Sequence, residues 1–497
     1  MGLVVTFISW CWPAILLMVI MKLWTIYNDS KMDQTSPLPL PRGSYGLPII
    51  GETIAFVTQF LFDETRLQKY GNVFKTHVLG EPTIICMGPE NVRKVLSGEH
   101  RVVTSSWPSA IKRLFGEGAL SQSFGGIHRK RQKLVRKAFT HDALKSYVTP
   151  IRDLVRKHVT YWCDGENEVQ AKSKLKSMLL EIACKVVLGL EYEKSDYSKI
   201  VETYETFSNG FFAPPINIPG SVFYKAMQAR KTLHKYAQES MDRKTNDDRI
   251  DALQYIQSSI GENGEALSEE EIRESVIELM FSGHETTASA CTSVVMLLAR
   301  HPDVIGKIRD ELDRYGMFEE DGYDVDLDDI NRLQYVGQVM KEVLRLAPPT
   351  GGGFRKVLET FELEGCQIPK GWTIIYNISN THRLSNHFDN ISDFDPDRWH
   401  PDSMTKNQSF HYLPFGGGAR SCVGKEFAKL LIKILIVEMA RSCSWTVKQL
   451  YPRMSRLPVL NPVDGLPTSF KRYGKEKQGV CCQDGIALLK EENLRGI

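Results

Sequence analysis

The run Phe415-Gly416-Gly417-Gly418-Ala419-Arg420-Ser421-Cys422-Val423-Gly424 sets one cysteine in a glycine-rich turn, just before a segment that reads as a helix. A cysteine thiolate so placed can be the axial ligand of haem iron, the ligand that pushes electron density toward O–O cleavage. Gly418 and Gly424 let the backbone pass close to a flat macrocycle. The free N–H groups at the start of the next helix favour thiolate over thiol. Arg420 can reach a propionate with charge-assisted hydrogen bonds, and Phe415 can cover the sulfur. A lone cysteine is otherwise most often an ordinary buried residue. Five fixed positions within ten residues set this one apart.

A second group is Ser282-Gly283-His284-Glu285-Thr286-Thr287, inside a long helical segment. Glycine and adjacent threonines are poor choices for a helix interior, so the pattern predicts a local opening of the helix. Gly283 then leaves room for dioxygen, and Glu285 with Thr286 forms an acid–alcohol pair suited to proton delivery. The alternative is a kinked helix in which a threonine bonds back to a carbonyl. His284 has no second ligand at i+4 and reads as structural. Glu342 and Arg345 stand one helical turn apart, where their side chains can pair; alone, such a pair is usually a surface feature.

The elements that must hold these groups are mainly helical. Helices are expected over 91–97, 128–139, 146–161, 171–188, 197–209, 221–243, 269–300, 304–315, 333–346 and 424–442. Strands are few: 73–78 and 82–87 as a hairpin about Leu79-Gly80-Glu81, with a second β region over 359–368 and 373–378. The expected architecture is one large, mainly α domain with a small β portion, enclosing one buried cofactor. The apolar, proline-rich loop from Phe211 to Gly220 suits a pocket lid, a membrane contact or a rigid connector equally.

Of 497 residues, 42% are hydrophobic and 25% charged, as in an ordinary globular protein. A net charge of +2 gives no ground for a nucleic-acid partner. Ten scattered cysteines without C-x-x-C spacing speak against a disulfide scaffold or zinc site and suit a reducing compartment. Residues 1–27, broken only by Lys22, are long enough for a transmembrane anchor of about 20 residues; a cleaved signal peptide is the competing reading. Lys22, Lys31 and Arg42 on the C-terminal side put the body in the cytosol. A stiff proline-rich linker is expected at 28–48, the catalytic domain at 49–475 and a tail at 476–497.

The spacing Phe-x-x-Gly-x-Arg-x-Cys-x-Gly resembles the haem-binding loop of the cytochromes P-450, and Ser282–Thr287 resembles that family's Ala/Gly-Gly-x-Asp/Glu-Thr-Thr/Ser motif, with Ser282 departing at the first position. Phe415–Ala428, Phe281–Ala290, Ile368–Trp372 and Gly352–Arg355 look like the retinoic-acid-hydroxylating group of that family, and the resemblance covers roughly residues 35–475. It implies the P-450 fold, haem b (iron protoporphyrin IX) on Cys422, and hydroxylation of an apolar substrate with O2, retinoic acid being the leading case. A sterol or fatty-acid hydroxylase is the alternative; a non-catalytic haem-thiolate binding or sensor protein is the alternative of another class. The resemblance also gives Glu342, Arg345 and Arg398 a role as a buried cluster bracing the cysteine loop. Arg355, Arg131 and His128 become propionate partners beside Arg420, with Ile127 where the family carries tryptophan. Trp107, Phe212, Phe281, Gly283, Thr286 and Phe354 are implied to line the substrate pocket. Glu81 and Ile85 stand where arginines for a substrate carboxylate are implied. The chain carries no Gly-x-Gly-x-x-Gly or flavin module, so electrons are expected from NADPH–cytochrome P-450 reductase. It would dock on a positive face built from Arg129-Lys130-Arg131, Lys133, Lys425, Lys429 and Lys433. The implied setting is the endoplasmic reticulum membrane, with the protein a monomer.

Overall fold

The structure is a computed structural model that describes residues 2–165, 168–190, 194–243, 251–262, 264–318, 323–403 and 410–474; the side chains of residues 2–11, 14, 194–196, 212 and 403 lie outside that description. The expected tail at 476–497 also falls outside it.

A long helix, Glu269–Leu298, runs through the body, and most of its residues from Thr287 onward are buried. It starts at a capping box in which Ser268 accepts from the Glu271 N–H while Glu271 reaches back to the Ser268 N–H. The helix packs against Ala171–Ile182 and against Lys425–Ser442, which itself lies along His141–Asp164. Each expected helix is found, with ends moved by a few residues. The segment 183–187 finishes as a π turn.

The β portion is larger than the sequence suggested. A five-stranded sheet runs Val73–Val78, Glu81–Cys86, Thr373–Asn377, Gly352–Val357, Val103–Ser105 in spatial order. Gly352–Val357 is an inner strand that its two glycines disguise. A side chain at Gly352 would meet the Tyr376 carbonyl at 1.9 Å, so only glycine lets the strands approach there. Phe361–Leu363 and Cys366–Ile368 form a separate hairpin. A three-stranded sheet including Cys443–Val447 and Pro467–Arg472 was not anticipated.

At the N-terminus, helix Gly2–Asp29 exposes Trp12, Ile15 to Ile20, Leu23 and Ile26. Among the described residues no helix is long and apolar enough to cross a membrane. The end of this helix is tied to the body: Asp29 bonds Lys75 at 2.8 Å and Tyr45 Oη at 2.7 Å. The following segment is pinned as well, with the Gln367 N–H donating to the Pro39 carbonyl at 2.9 Å.

Candidate active site

A cavity of about 350 Å³ lies between the cysteine loop and the long helix. Phe415, Gly416, Cys422, Val423 and Gly424 form one wall. The loop is shaped by its own backbone: the Cys422 N–H donates to the Phe415 carbonyl at 2.9 Å, and Ser421 N–H to the Gly418 carbonyl at 3.1 Å. Gly418 has φ +65°, and a side chain there would meet the Leu96 carbonyl at 2.4 Å. It holds the loop against the end of helix Pro89–Ser97 and does not itself line the cavity. Cys422 is accessible from the cavity. Burial pushes its thiol up, while the Gly424 N–H and Lys425 pull it back.

Behind this wall sits Glu342, with no exposed surface. Arg345 grips it through Nε and Nη2, each at 2.8 Å; Arg398 Nε donates at 2.9 Å, Trp399 Nε1 at 2.9 Å and the Asp395 N–H at 3.0 Å. The remaining arginine donors end on carbonyls, Arg345 Nη1 on Ile391 at 2.6 Å and Arg398 Nη1 on Asp389 at 2.7 Å. Both oxygens of this carboxylate are fully used. His382 ties this cluster to the cysteine loop, bonding the Arg345 carbonyl through Nδ1 at 3.0 Å and accepting the Leu413 N–H on Nε2 at 2.9 Å. Burial pushes His382 down to about 4, so the ring is neutral, as that second bond requires. Trp399 and His382 were not singled out in the sequence; Trp399 beside Arg398 was the available signal.

At the cavity edge stand Arg355, Arg420 and His128. Burial, then Arg420, pushes His128 down to about 3, and its Nδ1 is buried without a partner. A thiol on one wall with two guanidinium groups and an unpartnered imidazole nitrogen at the rim fits an iron porphyrin bearing two carboxylates. Arg131 departs from expectation. It bonds Glu271 at 2.7 Å and the Glu117 carbonyl at 2.8 Å, and it does not line the cavity. An acidic residue on the long helix has captured it.

Ser282, Gly283, Thr286, Thr287 and Ala290 make the opposite wall. The expected opening of the helix is absent: Glu269–Leu298 is continuous, and Thr286 Oγ1 donates to the Ser282 carbonyl at 2.5 Å. That bond satisfies the hydroxyl within one turn. Glu285 does not line the cavity. It pairs with Lys176 at 2.7 Å and lies 3.4 Å from His284. Burial raises its pKa, but His284 and Lys176 outweigh that and bring it down to about 2. His284 is structural, as read, held between Tyr204 Oη at 3.0 Å and the Lys176 carbonyl at 2.8 Å.

Of the implied pocket residues, Trp107, Gly283 and Thr286 line the cavity. Phe354 stands behind Trp107, ring centres 6.4 Å apart, and Phe281 stacks on Phe211 at 3.9 Å within an aromatic cluster that includes Phe115. Neither reaches the cavity wall. The Phe212 side chain lies outside the described residues. Glu278, missed in the sequence, does line the cavity and accepts the N–H groups of Leu120 at 2.7 Å and Ser121 at 3.0 Å. The signal was an acid seven residues after Glu271 amid Ile277, Leu279 and Met280. Glu81 bonds Lys356 at 2.9 Å, and Ile85 is wholly buried in the sheet. On the other side of the molecule, Lys425 and Lys429 share Glu426, whereas Lys433 is half-buried and bonds the Ile330 carbonyl. Lys433 therefore drops out of the expected positive face.

A family model described as cytochrome P450 matches residues 41–464. Chicken cytochrome P450 26A1 is 40% identical over 92% of this chain and 95% of its own length. Human cytochrome P450 26B1 is 39% identical over 92% of this chain and 91% of its own. Among solved structures, the retinoic-acid-bound cyanobacterial CYP120A1 superposes with a TM-score of 0.80 at 31% identity, covering 88% of this chain and all of that one.

Proposed function

This chain belongs to the cytochrome P450 family, and from that premise we propose that it hydroxylates retinoic acid. As a haem-thiolate monooxygenase it needs a redox partner and a lipophilic substrate. The observation that carries the substrate reading is the likeness to the retinoic-acid-bound CYP120A1 across 88% of the chain. The cavity agrees in kind: its wall is mostly apolar, with Trp107 on one side and Leu120, Leu279 and Val187 among its lining. A polyene needs such a surface.

When bound, haem b supplies O2 activation and insertion of one oxygen atom into a C–H bond. The chain's own residues do the rest. Cys422 ligates, and Arg355, Arg420 and His128 receive the propionates. Glu342, Arg345 and Arg398 keep the ligand loop in place. Thr286 offers a hydroxyl at the cavity wall. Glu285, held as an anion by His284 and Lys176 away from the cavity wall, is no proton donor at rest. Glu278 fixes the Leu120–Ser121 backbone beside the cavity.

Electrons would come from NADPH–cytochrome P450 reductase, since the chain has no flavin motif. The docking face would use the exposed Arg129, Lys130, Lys133 and Lys425, with the half-buried Lys429 beside them. The exposed apolar run Trp12–Ile26 would attach a monomer to the endoplasmic reticulum membrane, body in the cytosol.

A second reading rests on Glu81 and Ile85. With no arginine at either place, a neutral sterol or other lipophile avoids burying an unpaired carboxylate. Titration of the ferric full-length protein with all-trans retinoic acid, retinol and a sterol separates the two. A low- to high-spin shift with micromolar retinoic acid, and a hydroxylated product with NADPH and reductase, is the expected result. No shift with the acid and a clear one with a neutral lipid would replace it with the second reading.

A further inference from the structure

Glu99 lies one residue beyond the glycine that ends helix Pro89–Ser97, in the polar turn Gly98-Glu99-His100-Arg101. Its side chain is 2% exposed. One carboxylate oxygen lies 3.0 Å from Arg420 Nε and accepts the Ser105 N–H at 3.1 Å; the other lies 2.7 Å from Arg355 Nε. Ser105 is the register partner of Arg355 across the neighbouring strands. A single buried anion thus sits where a helix end, the edge of the sheet and the cysteine loop meet.

Its manner of binding is selective. Arg420 is hydrogen-bonded through Nε, Arg355 Nε is paired by charge at 2.7 Å without hydrogen-bond alignment, and both arginines line the cavity. Arg420 Nη2 is anchored to the Ser123 carbonyl at 2.6 Å and its Nη1 to the Ser121 carbonyl at 3.4 Å, and Arg355 Nη1 to the Phe354 carbonyl at 2.9 Å. A planar guanidinium tied to backbone carbonyls on one side and to a carboxylate on another keeps one orientation. Two arginines with no anion between them would repel and turn apart; at this burial that repulsion is poorly screened.

We propose that Glu99 is a positioning residue for the cofactor: it sets the orientation of Arg355 and Arg420 so that both meet the haem propionates. This rests on the haem-thiolate reading of the cavity. Glu99 acts through the arginines and touches no reacting atom.

The test uses full-length holoprotein and measures haem transfer to excess apomyoglobin. Glu99→Ala is expected to release haem at least about tenfold faster, one factor of ten corresponding to ~1.4 kcal/mol. Glu99→Asp should stay within about threefold of the parent by retaining the charge, and Glu99→Gln should fall between, since one amide oxygen holds one arginine. The decisive arm repeats the measurement with iron protoporphyrin IX dimethyl ester, whose propionates carry no charge. There the parent and Glu99→Ala should differ by less than about twofold. Equal acceleration with both haems would make Glu99 a structural support of the loop and overturn the proposal, as would no acceleration with native haem. If Glu99→Ala fails to fold, the Asp and Gln variants carry the same comparison. Loss of the thiolate spectrum in the parent protein would instead sink the haem reading itself, so the two failures are distinguishable.

Discussion

Two buried carboxylates in this molecule each grip two arginines, and they differ in what the arginines face. Glu342 is closed. Five donors converge on it, the spare donors of Arg345 and Arg398 end on backbone carbonyls, and neither arginine lines the cavity. Glu99 is open on one side. It bonds Arg420, pairs by charge with Arg355, and leaves both at the cavity rim. The closed cluster can only hold shape; the open one still has positive charge to offer an anion. Similar ingredients thus serve support in one place and recognition in the other, and the distinction is whether the arginines reach the cavity.

Breaking the closed cluster should have the largest effect. Glu342→Ala leaves two buried cations facing each other, which costs about 3–5 kcal/mol. Little folded holoprotein is expected on purification, and urea unfolding of what remains should show the loss; stability within about 1 kcal/mol of the parent would mean the cluster is not the brace described. Glu99→Ala should cost less global stability, about 1–3 kcal/mol, and show itself mainly as haem release. If the two variants lost stability equally, the open and closed distinction would fail.

A third anion, Glu285, sharpens the contrast because its partners are one lysine and one histidine, with no arginine. Its pKa is depressed from 4.5 to about 2 in the folded protein. A depressed carboxylate stabilises the fold above its unfolded pKa, and that contribution fades as pH falls from about 4.5 toward 2. Glu285→Gln should therefore lose on the order of 2–3 kcal/mol at pH 7 and converge with the parent in acid. Parallel stability curves from pH 7 to pH 3 would contradict this. The smallest structural effect is expected from Thr286→Ala, whose hydroxyl bonds only within its own helix; unfolding should shift by less than about 1 kcal/mol. Its effect lies in chemistry: NADPH consumed per product should rise several-fold, and unchanged coupling would remove Thr286 from proton delivery.

The same comparison explains what could be read in the sequence. Glu342 and Arg345 are three residues apart on one helix, so their pairing is visible in the spacing, while Arg398 came only from the family resemblance. Glu99 bonds an arginine 321 residues away, and its own neighbourhood, Gly-Glu-His-Arg, looks like a surface turn. Arg131 was misplaced for a related reason: its partner Glu271 is 140 residues distant. The helices were legible because their apolar period is local. Gly352–Val357 was not, because the residues that make it a strand are across the sheet on Thr373–Asn377. Thr286 lines the cavity, while the helix around it stays continuous, since a threonine can satisfy itself on the preceding turn.

The central claim is that Cys422 supplies a thiolate to haem iron at the floor of this cavity. Adding carbon monoxide to the reduced full-length protein tests it most directly, with Cys422→His as the control. The parent is expected to give the long-wavelength Soret band of thiolate ligation, and the variant the shorter-wavelength band of histidine ligation. A parent spectrum of the histidine type, or the same thiolate band after Cys422 is replaced, would contradict the account.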